Sequence, residues 1–119
     1  MDKKCPLIKV LNIFGKRWSL LILVELYKGK AKWKRYSHLK RNLLNITPKI
    51  LSSRLKELEK EKLINKRIDA STFPIKSEYR LTKSGEEFID HMKGMKEWGL
   101  KWKVKNEHCA DITCKECDM

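Results

Sequence analysis

Three cysteines, Cys109, Cys114 and Cys117, fall within nine residues of one another beside His108, in the spacing His-Cys-x4-Cys-x2-Cys. Thiolates so placed can ligate zinc or an iron–sulfur cluster, with His108 as a substitute ligand. The same residues suit thiol chemistry, through the Cys114–Cys117 pair or through Cys5 at the other end of the chain. An inert tail is the third reading. The spacing lacks a paired second half, so it falls short of a zinc-ribbon signature. Packing of the two ends of the chain would bring Cys5 toward the cluster as a further ligand or thiol partner. Stable disulfides are rare in a cytosol, outside hyperthermophiles.

A second set of residues suits recognition of a polyanion. Residues 46–63 read as a helix with a reactive outer face. Thr47 is a good N-cap and Pro48 fits the first helical position, where its missing N–H costs nothing. Leu51, Leu55 and Leu58 form one apolar stripe. Opposite them stand Lys49, Ser52, Ser53 and Lys56, and no acid appears before Glu57. Cations and hydroxyls on one face suit phosphates and base edges. The helix N-terminus and Thr47 can hold a phosphate through backbone N–H groups. Arg54 lies nearer the apolar stripe, where an ion pair and a DNA contact are both open to it.

The neighbouring elements present this helix. After Leu63 the period changes to two, and residues 64–69 and 75–81 read as two strands joined by a polar turn containing Pro74. Thr82-Lys-Ser-Gly then caps a long helix over residues 83–104. Helix, basic ribbon and helix in that order predict a mainly α fold with a small β-wing, a winged helix-turn-helix. Arg67 and Lys76 on the ribbon, and Arg35 on a short extended piece, are the expected backbone or minor-groove contacts. Upstream, residues 6–14 form a helix with Leu7, Val10, Leu11 and Phe14 inward, and Gly15 breaks it. Residues 16–27, with Trp18, Leu21 and Ile22, form the most buried helix, which Gly29 stops. Ser37 caps a third helix running through Asn42.

The last helix carries a second pattern. Phe88, Met92, Met95, Gly99 and Trp102 step by four and three, a heptad-like seam with Trp98 and Leu100 beside it. Core packing would explain it, with Met as gap filler. The preferred reading is a subunit interface built from the first and last helices, through Leu7, Leu11, Phe88, Met92, Met95 and Trp102. A two-fold dimer of this kind sets two recognition helices about one DNA turn apart on a pseudo-palindromic site.

Charge agrees with a nucleic-acid partner. The chain holds 28 Lys and Arg against 15 Asp and Glu, a formal +13. Residues 106–119 hold Lys115 against Glu107, Asp111, Glu116 and Asp118, or −3. Residues 1–105 therefore carry 27 cations against 11 acids, or +16. Such a body attracts DNA or an acidic membrane face. The apolar run 20–24 is far short of the ~20 residues a spanning helix needs, and no signal-peptide pattern opens the chain. A cytoplasmic protein without membrane partners is expected. One domain, 1–105, combines DNA binding and dimerisation, and 106–119 forms a Cys-rich tail. No phosphate loop or catalytic constellation is present, and Asp90 and His91, adjacent on a helix, point apart. No enzyme is expected.

Several motifs in order resemble the HxlR-type transcriptional regulators, a branch of the MarR-like winged helix proteins. They are Cys5-Pro6, Gly15-Lys-Arg-Trp18 with the Leu-Leu-Ile-Leu after Ser19, and Arg35-Tyr-Ser-His-Leu39, followed by Ile46 to Glu59 and Glu78-Tyr-Arg-Leu-Thr-Lys-Ser-Gly85. The resemblance spans residues 5–102. It implies a homodimer held by terminal helices, binding operator DNA as repressor or activator. It also implies a redox role for Cys5, the position through which some members sense oxidants. Two positions depart from the family pattern, Lys16 for the second of paired glycines and Ser77 for a valine, and neither falls on the expected DNA surface. The competing function is a basic architectural protein that coats double-stranded DNA without sequence preference. No small-molecule effector can be assigned from the pattern.

Overall fold

The computed structural model describes residues 4–71, 73–105 and 115. Five helices and three short strands follow one another as α1 (Pro6–Phe14), α2 (Ser19–Tyr27), β1 (Lys34–Arg35), α3 (Tyr36–Asn42), α4 (Pro48–Lys60), β2 (Ile64–Asp69), β3 (Lys76–Leu81) and α5 (Lys83–Trp102). The winged helix-turn-helix expected from the sequence is the observed architecture. α3 and α4 form the helix-turn-helix, and β2 with β3 forms the wing.

One core joins these parts. Ile22, Leu23 and Leu26 of α2 meet Leu39 of α3, the Leu51–Leu55–Leu58 stripe of α4, Ile64 and Tyr79 of the sheet, and Ile89 of α5. α2 is the central element, yet it starts later than the sequence pattern predicts. Trp18 adopts a left-handed backbone (φ 84°) ahead of Ser19, and residues 15–18 form a turn. The turn is tied to α4: Arg54 Nε donates to the Arg17 carbonyl at 3.3 Å, and Lys16 Nζ donates to Glu57 at 2.7 Å. A left-handed non-glycine residue costs on the order of 1–3 kcal/mol, and surrounding packing must hold it. Trp18 is partly buried against the core.

Other expectations need correction. Leu7, Val10 and Leu11 do not point inward; α1 has no buried residue and leans on the body through Ile13 and Phe14. Leu21 is also exposed, on the outer side of α2. Ser37 does not cap α3, because the chain passes straight from β1 into the helix with Arg35 in the cap position. β1 adds a third strand to the wing, in the order β1-β3-β2, through the antiparallel pairs Lys34↔Tyr79 and Arg35↔Glu78.

Gly29 takes the left-handed conformation expected after α2 (φ 77°). Lys34 is nearly buried, and its ammonium donates to the carbonyls of Glu25 and Lys28 at the end of α2. A cation there complements the negative helix terminus. Burial pushes the Lys34 pKa below its ordinary value, against the opposing pull of Glu25.

The joint between wing and α5 is tight. Thr82 caps α5 by accepting from Gly85 N at 3.2 Å, and its hydroxyl donates to the Lys62 carbonyl at 2.7 Å. Its backbone N–H bonds the Leu63 carbonyl at 3.0 Å. A Cβ on Gly85 would lie 2.3 Å from that carbonyl oxygen, so this close approach admits only glycine.

Candidate nucleic-acid interface

α4 is built as predicted. Thr47 Oγ1 accepts from Ile50 N at 3.2 Å, Pro48 opens the helix, and no acid lies in the first turn. Burial of Leu51, Leu55 and Leu58 turns Lys49, Ser53 and Lys56 to the exposed side. The N-terminal end therefore combines the positive helix terminus with cations and a hydroxyl.

Two other residues of the predicted set sit differently. Ser52 is half-buried, with its Oγ 3.4 Å from the Tyr36 hydroxyl. Arg54 is committed to the fold: it holds the Arg17 carbonyl and pairs with Glu57 at 3.3 Å. Glu57, the first acid of the helix, is thereby neutralised by both Lys16 and Arg54. The outer face of α4 keeps its positive character because these two cations take up the acid beside it.

On the wing, Arg67 pairs with Glu78 at 3.0 Å and lies over the Trp33 ring at 4.3 Å, with Arg80 over the same ring at 5.2 Å. Trp33 between two guanidiniums stiffens the outer face of the sheet through cation–π contact. Its role was not foreseen from the sequence. Arg35 is exposed beside this platform, and Lys76 pairs in register with Asp69 at the tip of the wing. Ser71, through its backbone N–H at 3.0 Å and its hydroxyl, donates to the Asp69 carboxylate and holds its pKa below the ordinary carboxylate value. This closes the turn locally. Phe73, at the tip, is 97% exposed.

The two departures from the family pattern lie close to the candidate DNA residues. Lys16 neutralises Glu57, and Ser77 lines a groove with Ser52 and Lys56 between α4 and the wing. The alternation of strand residues carried the signal for Ser77, since it shares a face with Tyr79.

The residues proposed for subunit contact divide into two groups. Phe88 stacks on Phe14 with ring centroids 4.1 Å apart, and Met92 packs half-buried against the core. Met95, Trp98 and Trp102 are exposed by 56%, 57% and 65%, and with Leu7, Leu11 and Leu21 they leave much apolar surface in water.

Cys5 is half-exposed at the start of α1, its carbonyl accepting from Lys9 N. His108, Cys109, Cys114 and Cys117 lie outside the described residues. Among the described residues no three His, Cys, Asp or Glu side chains gather as a metal site would need. No helix among them is long and apolar enough to cross a membrane.

A helix-turn-helix with a cationic, acid-neutralised second helix and a basic wing defines a DNA-binding transcriptional regulator of the winged helix class. The chain belongs to the HxlR-like helix-turn-helix family, whose model matches residues 13–107. It is 39% identical over 99 residues to the uncharacterised HTH-type transcriptional regulator YdzF of Bacillus subtilis, covering 83% of this chain and 88% of that one. A putative MarR-family regulator from Porphyromonas gingivalis W83 has a similar structure, with a TM-score of 0.76 and 31% identity over 86% of this chain and 96% of that one. The reduced form of the transcriptional regulator YodB from B. subtilis matches with a TM-score of 0.69 and 27% identity, over 87% and 98% of the two chains. These relatives are regulators rather than enzymes.

Proposed function

We propose that the protein is a homodimeric regulator that binds a pseudo-palindromic operator, with α4 in the major groove and the wing against the adjacent backbone and minor groove. The observation that carries this reading is the outer face of α4. Lys49, Ser53 and Lys56 stand exposed on it, and its first acid is tied back by Lys16 and Arg54. Thr47 and the helix terminus fix a phosphate, and Lys49 and Ser53 reach base edges. Arg35, Arg67 and Lys76 hold the backbone beside the wing, Arg67 by exchanging Glu78 for phosphate.

The homodimer forms through α1 and α5. Leu7, Leu11, Met95 and Trp102 supply the exposed apolar surface, and Phe88 and Met92 of α5 pack half-buried against the core. A patch of exposed Leu, Met and Trp on so small a domain marks an interface.

Cysteine chemistry modulates the binding. Cys5 opens α1, the helix at the proposed interface, so its oxidation would act on subunit packing. The YodB structures in reduced and diamide-treated forms support a thiol-based switch in a similar protein. Cys109, Cys114 and Cys117, with Cys5 or His108, form the set that would take zinc or an iron–sulfur cluster. Metal analysis with an absorbance spectrum on anaerobically purified protein tests that set.

The test of the main reading is a binding titration on genomic fragments against an unrelated duplex at physiological salt. An operator-binding protein shows a ratio of roughly 10³ or more. A ratio below about 10 assigns the protein to the architectural class, coating DNA without sequence preference.

A further inference from the structure

Between α4 and the wing runs a groove of about 210 Å³, lined by Tyr36, Ser52, Lys56, Glu59, Lys66 and Ser77 and floored by Leu55 and Tyr79. Lys66 is the register partner of Tyr79, so it stands on the face of the ribbon that turns toward α4. Ser77 occupies the same face two residues away, beside Tyr79 in the groove lining. From the other wall, Ser52 lies 3.4 Å from the Tyr36 hydroxyl, which itself donates to the Pro48 carbonyl at 3.2 Å. Two exposed ammoniums and four hydroxyls thus line the groove, with Glu59 the only acid among the lining residues.

A helix in the major groove and a ribbon in the neighbouring minor groove must straddle the sugar-phosphate strand that separates the two. Whatever lines the gap between them faces phosphate rather than bases. We propose that this groove is a seat for a DNA backbone phosphate, held by the Lys56 and Lys66 ammoniums and by hydroxyl donation from Ser77 and, once its proton turns away from Tyr36, from Ser52. The inference rests on the operator-binding reading above and deepens it. It gives Ser52 a place on the backbone and leaves Ser53 as the hydroxyl that meets bases. It also adds Lys66 and Ser77 to the DNA surface.

The test is fluorescence anisotropy with a mixed-sequence duplex of about three helical turns, over a range of salt concentrations. Lys66→Ala should weaken binding several-fold on every sequence and make the slope of log K against log salt shallower by about 1. Ser77→Val, which removes a neutral donor, should cost roughly fivefold with the slope unchanged, about the worth of one hydrogen bond. Circular dichroism verifies that both variants stay folded. Millimolar inorganic phosphate at matched ionic strength should not compete. If it displaces the duplex, the groove serves free phosphate and the assignment falls. If Lys49→Glu abolishes binding while Lys66→Ala and Ser77→Val bind as wild type, the groove assignment alone falls. If the wild type binds no duplex at all, the operator reading fails and takes this one with it.

Discussion

Two glycines on α5 should respond oppositely to the same substitution. At Gly85 an added Cβ would sit 2.3 Å from the Leu63 carbonyl oxygen, and relief to even 3.0 Å needs a displacement of about 0.7 Å. That oxygen also accepts the Thr82 N–H at 3.0 Å, so the displacement works against the bond that joins wing to helix. Overpacking of this kind costs ~1–3 kcal/mol, and a weakened hydrogen bond adds ~1. Alanine's helix preference over glycine returns up to ~1 kcal/mol. The net loss for Gly85→Ala is roughly 2 kcal/mol, a fall of roughly 10 °C in Tm for a domain of this size. Gly94 has nothing within 4 Å of its virtual Cβ and lies exposed inside the same helix. Gly94→Ala should therefore gain about 0.5–1 kcal/mol. Thermal and urea unfolding by circular dichroism, at one protein concentration because dimerisation couples to stability, measures both. A Gly85→Ala protein that melts at or above the wild-type temperature would refute the close-approach argument.

Further outcomes follow from the surface. Lys49→Glu places an acid at the exposed start of α4 and should abolish operator binding; normal affinity would remove α4 as the reading helix. Ser53→Ala should shift base preference by ~1 kcal/mol at one position, seen by selection from a randomised duplex. Trp102→Asp should convert the dimer to a monomer in sedimentation at micromolar concentration, while a wild-type monomer would remove the interface itself. The Asp69 carboxyl should titrate below its ordinary 3.8, and Ser71→Ala should move it back up, as followed by NMR. Because that pKa is depressed by folding, its contribution to stability is present above 3.8 and fades as pH falls through the lowered value.

Local features were legible in the sequence, and features that depend on distant or second chains were not. The Thr47 cap, Pro48 and the three-leucine stripe lie within one helix and are read by period and capping rules alone. The wing followed from its alternation, and the Thr82 cap from its spacing to Gly85. Trp18 could not be read: its left-handed backbone lies in a turn whose Lys16 side chain and Arg17 carbonyl bond α4, some 40 residues away. The pairing of Lys34 with Tyr79 is equally remote, and two residues carry no strand period of their own. Leu7, Leu11 and Leu21 are apolar at helical spacing, which identifies a stripe without saying what covers it. On α4, Lys49, Ser53 and Lys56 are exposed, as their place opposite the leucine stripe predicts. Ser52 is half-buried because Tyr36 comes from another element, and of the two partners open to Arg54 the ion pair is present.

The order β1-β3-β2 leaves β2 as the open edge of the sheet, since β1 is only two residues long. An open edge offers unpaired backbone groups to any other strand and invites aggregation. Here Lys66 and Arg67 stand at the middle of that edge, and both are exposed. Their like charges repel a second copy of the same strand. The residues assigned to DNA thus also guard the protein's solubility. Replacing both with valine would create an Ile-Asn-Val-Val-Ile run on a bare edge, and the first symptom would be precipitation rather than loss of regulation. A variant meant only to silence DNA contact at the wing should carry glutamate at 66 and glutamine at 67, which keeps the edge polar without setting a second acid against Glu78.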